Sequence, residues 1–461
     1  MKQVDYGNDR LGKCIFATSL PMFVAQSLNL LYNIVDRIYI GRIPVYGTAM
    51  LGAVGICFPF IIIITAFTNL YGAGGCPLFT IELGKGSRER AQKLLNISFS
   101  LEIFTAAVLI IAGEALCEPV LRLFGASDSS IVYAEPYMRI YLLGTFFSMT
   151  ATGMNPYINA LGFPVPGMAT VIIGAVSNIV LDPIFIFTFD MGVEGAAWAT
   201  VISQALSAAF VVIFLAGKKT GVKIRFPSLK LLSRSWKDIK DILGLGTASF
   251  VMQITNSLSS IACNRVMRDI GGDIYVSVMT ILTSIRQMVL TPINSITTGT
   301  SPVLSYNYGA GKYKRTLKCI RMMVLWSLGV MAVILAFLMI FPEFFVQIIS
   351  SDENILGYAV PAVRIYTCGN MFMTLQAAGQ DIFRSLNKKK QAIFFSIFRK
   401  VIIVVPLTYI LPYWFGMGVN GVYAAEPISD LIGGLACFIT MCATVLPELR
   451  KKQDLNIPEK S

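Results

Sequence analysis

Long stretches without a charged residue divide the chain into hydrophobic segments. No Asp, Glu, Lys or Arg occurs in the windows 14–35, 43–81, 140–181, 195–217, 242–264, 287–311, 322–342 and 401–425. A transmembrane helix needs about 20 mostly apolar residues, so the two longest windows can each hold more than one element. The pattern predicts twelve spans, at about 12–40, 48–80, 93–117, 131–160, 165–188, 193–217, 240–268, 274–306, 315–341, 355–385, 391–413 and 418–447.

The composition supports an all-α integral membrane protein. The chain of 461 residues is 55% hydrophobic and 14% charged, with a mean hydropathy of +0.67. Soluble domains carry about 25% charged residues, and helices that are apolar on all sides belong to deep cores or membranes. No A-x-A-like cleavage site follows the first hydrophobic segment, so we expect it to be a span and not a signal peptide.

The basic residues predict the orientation of the chain. With a cytoplasmic N-terminus, the cytoplasmic segments hold 27 of the 38 Lys and Arg residues, whereas the opposite loops and helix ends hold 5. The positive-inside rule then puts both termini in the cytoplasm. The net charge of +12 is explained by this asymmetry. No basic face on a soluble module is present, so we expect no nucleic-acid partner.

The two halves of the chain resemble each other. GGCPLFTIELGKGSRERAQKLL (74–95) aligns with GTSPVLSYNYGAGKYKRTLKCI (299–320), and EPYMRIYLLGTFF (135–147) with VPAVRIYTCGNMF (360–372), both at an offset of 225 residues. We therefore predict two six-helix, pseudo-symmetric lobes, 1–217 and 240–461, joined by a cytoplasmic linker, 218–239. Paired repeats are a common transporter plan, but duplication alone leaves a channel or a scaffold open.

Few residues suggest catalysis or a cofactor. The chain has no His, and its nine Cys residues lack C-x-x-C spacing, so we expect no zinc site, no Ser-His-Asp hydrolysis, no enzyme activity and no cofactor. The pairs Gly84/Gly86 and Gly309/Gly311 precede basic turns. We interpret them as helix terminators and not as phosphate-binding loops.

Two acids interrupt apolar segments of the first half. Asp36 lies in LLYNIVDRIYIG and Asp182 in AVSNIVLDPIFIF. A carboxylate at the centre of a membrane helix costs roughly 2.5–3.5 kcal/mol on insertion scales and is usually functional. Asn178 shares a helix face with Asp182, and Pro183 frees the carbonyl of Ile179. These hard oxygen ligands suit a proton or an alkali cation such as Na⁺.

Other residues extend this candidate site, each with a simpler alternative. Thr200 on the next predicted helix adds a hydroxyl, although such hydroxyls commonly bond back to their own helix. Pro21 predicts a kink in the first helix, although helix prolines also serve packing alone. Asp36 and Asp182 could each be a helix-end acid wetted by headgroups.

The segments LPMFVAQSLNLLYNIVDRIYIG, NALGFPVPGMA, SNIVLDPIFIF and MGVEGAAWATVISQ resemble the multidrug and toxic compound extrusion (MATE) family over almost the whole chain. The resemblance is closer to the DinF-like than to the NorM-like branch. It implies an N-lobe cation site at Asp36, Asn178, Asp182 and Thr200, where Na⁺ could bind. It also implies pocket-lining roles for Tyr137 and Asn155 and a helix-bending role for Pro21.

The C-terminal lobe departs from the NorM-like branch. Gln253 and Asn370 occupy the places where that branch has acids, so a C-lobe cation site is not expected. Glu426 either pairs with Arg399 or Lys400 or meets a cationic substrate. Gln253, Asn370 and Glu426 are thus candidates for lining a substrate cavity.

The resemblance implies a Na⁺- or H⁺-coupled antiporter that exports lipophilic, often cationic drugs or toxic compounds by alternating access. We expect a monomer in a bacterial-type plasma membrane, with membrane lipids and small molecules as its partners. The alternative is a lipid-linked precursor flippase of a related fold. Arg286, Arg399 and Lys400 keep that alternative open, because such proteins tend to have a basic cavity.

Overall fold

The computed structural model of the protein describes residues 3–44, 47–349 and 353–455. These residues form helices and connecting segments, with no strand among them. The α-helices, numbered in chain order, are α1 (Leu11–Gly41), α2 (Gly47–Gly84), α3 (Arg88–Leu123), α4 (Asp128–Leu143), α5 (Thr145–Ala160), α6 (Pro164–Pro183), α7 (Gly192–Ala216), α8 (Leu229–Ser233), α9 (Trp236–Gly271), α10 (Asp273–Gly309), α11 (Tyr313–Ile340), α12 (Pro342–Ile349), α13 (Glu353–Thr367), α14 (Asn370–Ser385), α15 (Lys389–Ile397), α16 (Val405–Tyr413) and α17 (Gly418–Asp454). Two π-helical segments, Ile184–Thr188 and Phe398–Val404, continue α6 and join α15 to α16.

Nine helices of the described chain are long and apolar enough to cross a membrane. The three further spans predicted from the sequence are also helical. One is α9, which carries many Ser, Thr and Asn residues. The spans predicted at 131–160 and 355–385 are each divided into two shorter helices, α4 with α5 and α13 with α14.

A glycine marks each of these two divisions, because a neighbouring helix passes close to the backbone there. A Cβ atom added to Gly144 would lie 2.6 Å from Cγ2 of Val201 on α7. A Cβ added to Gly369 would lie 2.6 Å from Cα of Pro427 on α17. The two glycines are repeat partners, and so are the helices that they accommodate.

Helix boundaries follow the duplication seen in the sequence. Three helices of the first half and their counterparts begin 225 residues apart, at Arg88 and Tyr313, Thr145 and Asn370, and Pro164 and Lys389. Two further helices, α2 and α10, end 225 residues apart. The repeated sequence therefore encodes a repeated pattern of helix starts and stops.

The glycine pairs terminate helices, as the sequence predicted. Gly86 and Gly311 follow the ends of α2 and α10 and adopt positive φ angles of 80° and 69°. The N–H of Ser87 then donates to the carbonyl of Glu82 over 3.0 Å, and that of Lys312 to the carbonyl of Asn307 over 3.0 Å. This is the hydrogen-bond pattern of a glycine C-cap.

The chain divides into two compact units. The N-terminal unit contains residues 3–5 and Val24–Phe250, and the C-terminal unit contains Tyr6–Phe23 and the described residues from Val251 onward. The first helix is thus shared, since its first half belongs to the C-terminal unit. Each unit has its own apolar core, made in the N-terminal unit chiefly by α2, α3, α4 and α7, and in the C-terminal unit by α9, α10, α11 and α13.

The segment after α7 is fixed to α3 by side chains. Asn96 accepts a hydrogen bond from the N–H of Arg225 over 2.6 Å and donates one to the carbonyl of Lys223 over 3.2 Å. Lys93 pairs with Asp238 at 2.8 Å. The predicted linker is therefore an ordered segment that packs against α3 within the N-terminal unit.

Candidate functional site

Helices α6 and α7 position the central residues of the candidate ion site. They pack closely, since a Cβ added to Gly174 on α6 would lie 2.5 Å from the Ser207 hydroxyl on α7. That hydroxyl donates to the carbonyl of Thr170 over 3.0 Å. The α-helical part of α6 ends at Pro183, which cannot donate to Ile179, and the wider π-helical segment follows.

Asn178 connects the acid of α6 to the hydroxyl of α7. Its side-chain N–H donates to Oδ1 of Asp182 over 3.1 Å, and the same nitrogen lies 3.4 Å from Oγ1 of Thr200. Asn178 and Asp182 are buried, whereas Thr200 is half-buried. The structure therefore brings these three predicted site residues together.

Asp36 on α1 completes the group. Its carboxyl group lies beside the Asp182 carboxyl. The next residue, Arg37, places its guanidinium 5.3 Å above the ring of Phe58. Two carboxyl groups from different helices thus meet inside the N-terminal unit. We call Asp36, Asn178, Asp182 and Thr200 the carboxyl site.

The carboxyl site presents oxygen acceptors that no protein donor satisfies. Asp36 Oδ1, Asp182 Oδ2 and Asn178 Oδ1 are buried and have no hydrogen-bond partner. Two ionised carboxylates in contact repel each other, whereas a shared proton or a small cation removes the repulsion. No group of three or more His, Cys, Asp or Glu residues that could hold a metal ion occurs in the described chain. The donor set of two carboxyls, an amide oxygen and a hydroxyl suits a proton or a monovalent cation.

Tyr137 lies beside the carboxyl site. It is buried on α4, and both Asp36 and Asp182 are among its electrostatic neighbours. Its ring stacks on that of Tyr141 with a centroid distance of 6.3 Å. Tyr32 on α1 has the same two acids as neighbours. Tyr137 was included on resemblance, but Tyr32 was missed, although it lies one helical turn before Asp36.

Asn155 lies elsewhere in the N-terminal unit. Its side-chain N–H donates to the carbonyl of Gly167 over 3.1 Å, near the start of α6. Gly167 precedes Asp182 by fifteen residues, which is about 22 Å of helical rise. The structure therefore does not bring Asn155 together with the carboxyl site.

Pro21 is buried within α1, and the helix is continuous from Leu11 to Gly41 around it. Upstream, the Thr18 hydroxyl donates to the carbonyls of Cys14 and Ile15, at 3.0 Å each. The boundary between the two units falls two residues after the proline, between Phe23 and Val24.

The three C-terminal candidates have different surroundings. Gln253 is half-buried on α9. Asn370 begins α14, is fully buried, and has no hydrogen-bond partner for either of its amide atoms. Glu426 is buried and pairs with Lys400 at 2.6 Å and with Arg399 at 3.0 Å. Both carboxylate oxygens of Glu426 are therefore engaged, and a cationic substrate could reach them only by displacing a protein cation.

Glu102 is an acid that the sequence analysis missed. It is 0% exposed on α3, and neither carboxylate oxygen has a hydrogen-bond partner. A Cβ added to Gly153 would overlap its carboxyl group, so a glycine on α5 makes room for it. A signal was present, since Glu102 is the one charged residue between Lys93 and Glu114.

The fold and the buried polar groups define a multi-span membrane protein made of two repeated halves. The family model MatE matches residues 21–184 and 248–410, once in each half. The chain belongs to this family.

Multidrug export proteins are among the known proteins that are similar to the chain. Multidrug export protein MepA of Staphylococcus haemolyticus (strain JCSC1435) is 22% identical over 430 residues, covering 93% of this chain and 92% of the relative. MepA of Staphylococcus aureus (strain NCTC 8325 / PS 47) is equally similar, at 22% identity over 430 residues with the same coverage.

Solved structures agree with the fold. A crystal structure of MATE in complex with MaL6 superimposes with a TM-score of 0.90 at 25% identity, covering 98% of this chain and 100% of that one. An outward-facing multidrug resistance MATE family transporter of the MOP superfamily gives 0.89 at 25% identity, covering 98% and 99%. The predicted fold class, twelve membrane helices in two six-helix lobes, is confirmed by this match.

Proposed function

We propose that the protein is a Na⁺- or H⁺-coupled antiporter that exports lipophilic, often cationic compounds by alternating access. The observation that carries the coupling is the contact between Asp36 and Asp182, with three buried acceptor oxygens that lack a protein donor. The names of its relatives, which are multidrug export proteins, support the export of drugs.

The carboxyl site can couple an ion to conformation because it joins different helices. An ion bound between Asp36 on α1 and Asp182 on α6 favours the arrangement that keeps the two carboxyls together. Without it, their repulsion favours separation. If the exported compound prefers the other arrangement, the ion and the compound weaken each other's binding by the same factor. Inward ion movement then supplies about 2.3 kcal/mol per charge per 100 mV of membrane potential.

Further features belong to the same proposal. The acids of the carboxyl site favour the DinF-like branch, and the 27 Lys and Arg residues of the cytoplasmic segments favour cytoplasmic termini in a bacterial plasma membrane. Twenty Met, 30 Phe and 18 Tyr residues suit a substrate cavity that accepts varied apolar cations. We propose a monomer as the transporting unit.

The flippase alternative loses its main support. Its cationic residues Arg286, Arg399 and Lys400 are paired with Glu426 and Asp430 within the membrane helices. A basic cavity for a pyrophosphate would need several guanidinium or ammonium groups that are not already paired with carboxylates.

Transport in proteoliposomes tests the coupling. The purified protein is reconstituted, Na⁺ and pH gradients are imposed separately, and movement of ethidium, a lipophilic fluorescent cation, is recorded. We expect one gradient to drive transport in the native chain. Asp36→Asn and Asp182→Asn should abolish gradient-driven transport but still reconstitute.

The matched control is Asp128→Asn, which makes the same chemical change at an acid that is 94% exposed. It should transport as the native chain does. Undiminished gradient-driven transport by Asp36→Asn and Asp182→Asn would refute the assignment of the carboxyl site. Absence of transport under either gradient by the native chain, over several lipophilic cations, would refute the antiporter itself.

A further inference from the structure

The C-terminal unit contains a group of five buried charged side chains, which we call the charged cluster. Its members are Arg286 on α10, Arg399 and Lys400 in the π-helical segment Phe398–Val404, and Glu426 and Asp430 on α17. Each of their side chains is 12% exposed or less. Charges this deep in a membrane protein are costly and usually functional.

Asp430 lies between two guanidinium groups. Arg286 donates from one nitrogen to both of its carboxylate oxygens, at 2.8 and 2.7 Å. Arg399 donates to Oδ1 of Asp430 over 2.8 Å. Glu426, one turn earlier on α17, accepts hydrogen bonds from Arg399 at 3.0 Å and Lys400 at 2.6 Å. Both carboxylates are therefore fully engaged within the charged cluster.

The backbone is arranged to hold these groups. The two basic residues are neighbours in a π-helical segment, a local widening that is frequent at functional sites. Gly433 on α17 leaves space for the stem of Arg399, since an added Cβ would lie 2.9 Å from its Cγ. The Ser429 hydroxyl donates to the carbonyl of Arg399 over 3.2 Å.

The charges of the cluster do not balance. Three cationic side chains face two carboxylates. In the part of the chain that the structure describes, the charged cluster therefore has one excess positive charge. Removing an uncompensated charge from water costs several kcal/mol even after relaxation. The ring of Tyr366 lies 5.5 Å from the Arg286 guanidinium, but an aromatic face offsets only part of a full charge.

Two donors of the cluster also lack acceptors. Arg286 Nη1 and Arg399 Nε are buried and have no hydrogen-bond partner. A buried donor without an acceptor costs about 1–3 kcal/mol, and more when it is charged. Loss of the Lys400 proton would restore neutrality but would leave both guanidinium donors unsatisfied. A bound anion would supply the missing charge and the missing acceptors together.

We propose that the charged cluster is an anion site that binds one small monovalent anion, with chloride as the physiological ligand. The excess charge sets the valence, and the close pairing of the five side chains limits the size of the ligand. The site is distinct from the carboxyl site. The two sites nevertheless use corresponding helices of the repeat, α7 in the carboxyl site and α17 in the charged cluster. Glu426 and Asp430 on α17 are the repeat partners of Thr200 and Gln204 on α7.

Thermal unfolding of the full-length protein in detergent tests the anion site. Sodium gluconate, whose anion is too large for the site, is replaced stepwise by sodium chloride at constant ionic strength and constant Na⁺. We expect the unfolding temperature to rise with chloride and to saturate. Equilibrium dialysis with radioactive chloride should find about one ion per chain at saturation.

Two substitutions should move the chloride response in opposite directions. Lys400→Met removes the excess charge and should abolish the chloride-dependent rise. Glu426→Gln adds one positive charge to the excess and should enlarge the chloride-dependent rise in unfolding temperature. Lys388→Met is the matched control, since Lys388 pairs with Glu448 outside the cluster in the same unit. It should retain the native response.

Several outcomes would overturn the anion site. The native chain could show no saturable chloride response and bind no radioactive chloride, or Lys400→Met could retain the native response. A native chain that is stabilised by raising the pH and binds no chloride would indicate that Lys400 loses its proton instead. The dialysis measurement needs no variant, so it tests whether the native chain binds chloride even if Lys400→Met does not fold. None of these measurements depends on transport.

Discussion

Asn178 donates its side-chain N–H to Asp182 over 3.1 Å, one helical turn away on α6, and the same nitrogen lies 3.4 Å from the hydroxyl of Thr200. The amide therefore fixes the orientation of one carboxylate oxygen of Asp182. The other oxygen has no protein donor and lies in the site shared with Asp36.

Asn178→Ala should weaken Na⁺ binding without removing either acid, because Na⁺ loses the buried amide oxygen of Asn178 as a ligand. A polar contact with a charged group contributes about 1.5–3 kcal/mol, which corresponds to a loss of roughly 10–100-fold in apparent Na⁺ affinity. Ion-dependent ethidium transport in proteoliposomes measures that affinity. Native ion affinity in a variant that reconstitutes normally would contradict a positioning role for Asn178.

Asn155→Ala should leave the ion dependence of transport unchanged. Its amide bonds to the carbonyl of Gly167, far along α6 from the acids. We expect only a loss of about 1 kcal/mol in the free energy of unfolding, the usual contribution of one hydrogen bond. Ion titrations of transport, made beside those of Asn178→Ala, check this. A similar loss of ion affinity in both variants would instead support the pocket-lining role that the resemblance implies for Asn155.

The sequence predicted the spans well because each buries or exposes to lipid a run of apolar residues. It did not predict that two spans are broken in the middle. Hydropathy averages over Gly144 and Gly369, whereas the breaks depend on the close approach of Val201 and Pro427. Such contacts join residues far apart in the chain, so no local pattern contains them.

For a similar reason, the sequence identified several residues of the candidate sites but not all of the contacts between them. Asp36 and Asp182 stood out as acids flanked by apolar residues. Their proximity, across 146 positions of sequence, follows only from the way the folded chain brings these two residues together. The pairing of Glu426 with Lys400 was anticipated as one alternative, but the salt bridge between Arg286 and Asp430 was not.

The same change, acid to amide, should have opposite consequences at Glu102 and Asp430. Asp430→Asn leaves the guanidinium groups of Arg286 and Arg399 buried without their shared partner, and breaking a buried pair costs about 3–5 kcal/mol. Glu102 has no such partner, so Glu102→Gln should change the free energy of unfolding by less than about 1 kcal/mol or raise it. Thermal unfolding of both variants in one detergent gives the comparison. A large loss of stability in Glu102→Gln would mean that its carboxyl has an essential partner.

Gly246→Ala should destabilise the N-terminal unit because α2 and α9 contact each other through their backbones. A Cβ added to Gly246 would overlap the carbonyl of Leu70, and one added to Gly74 would lie 2.8 Å from the Gly246 nitrogen. Small residues permit such close helix packing in membranes. The backbone cannot move aside as a side chain can, so we expect the free energy of unfolding to fall by at least about 3 kcal/mol, the upper end of ordinary overpacking.

Gly329→Ala on α11 is the control, since its added Cβ would meet no atom within 4 Å apart from the nearby backbone of its own helix. It should keep or slightly raise the unfolding temperature, because alanine favours a helix over glycine by up to about 1 kcal/mol. Equal unfolding temperatures for the two variants would show that the contact between α2 and α9 relaxes easily.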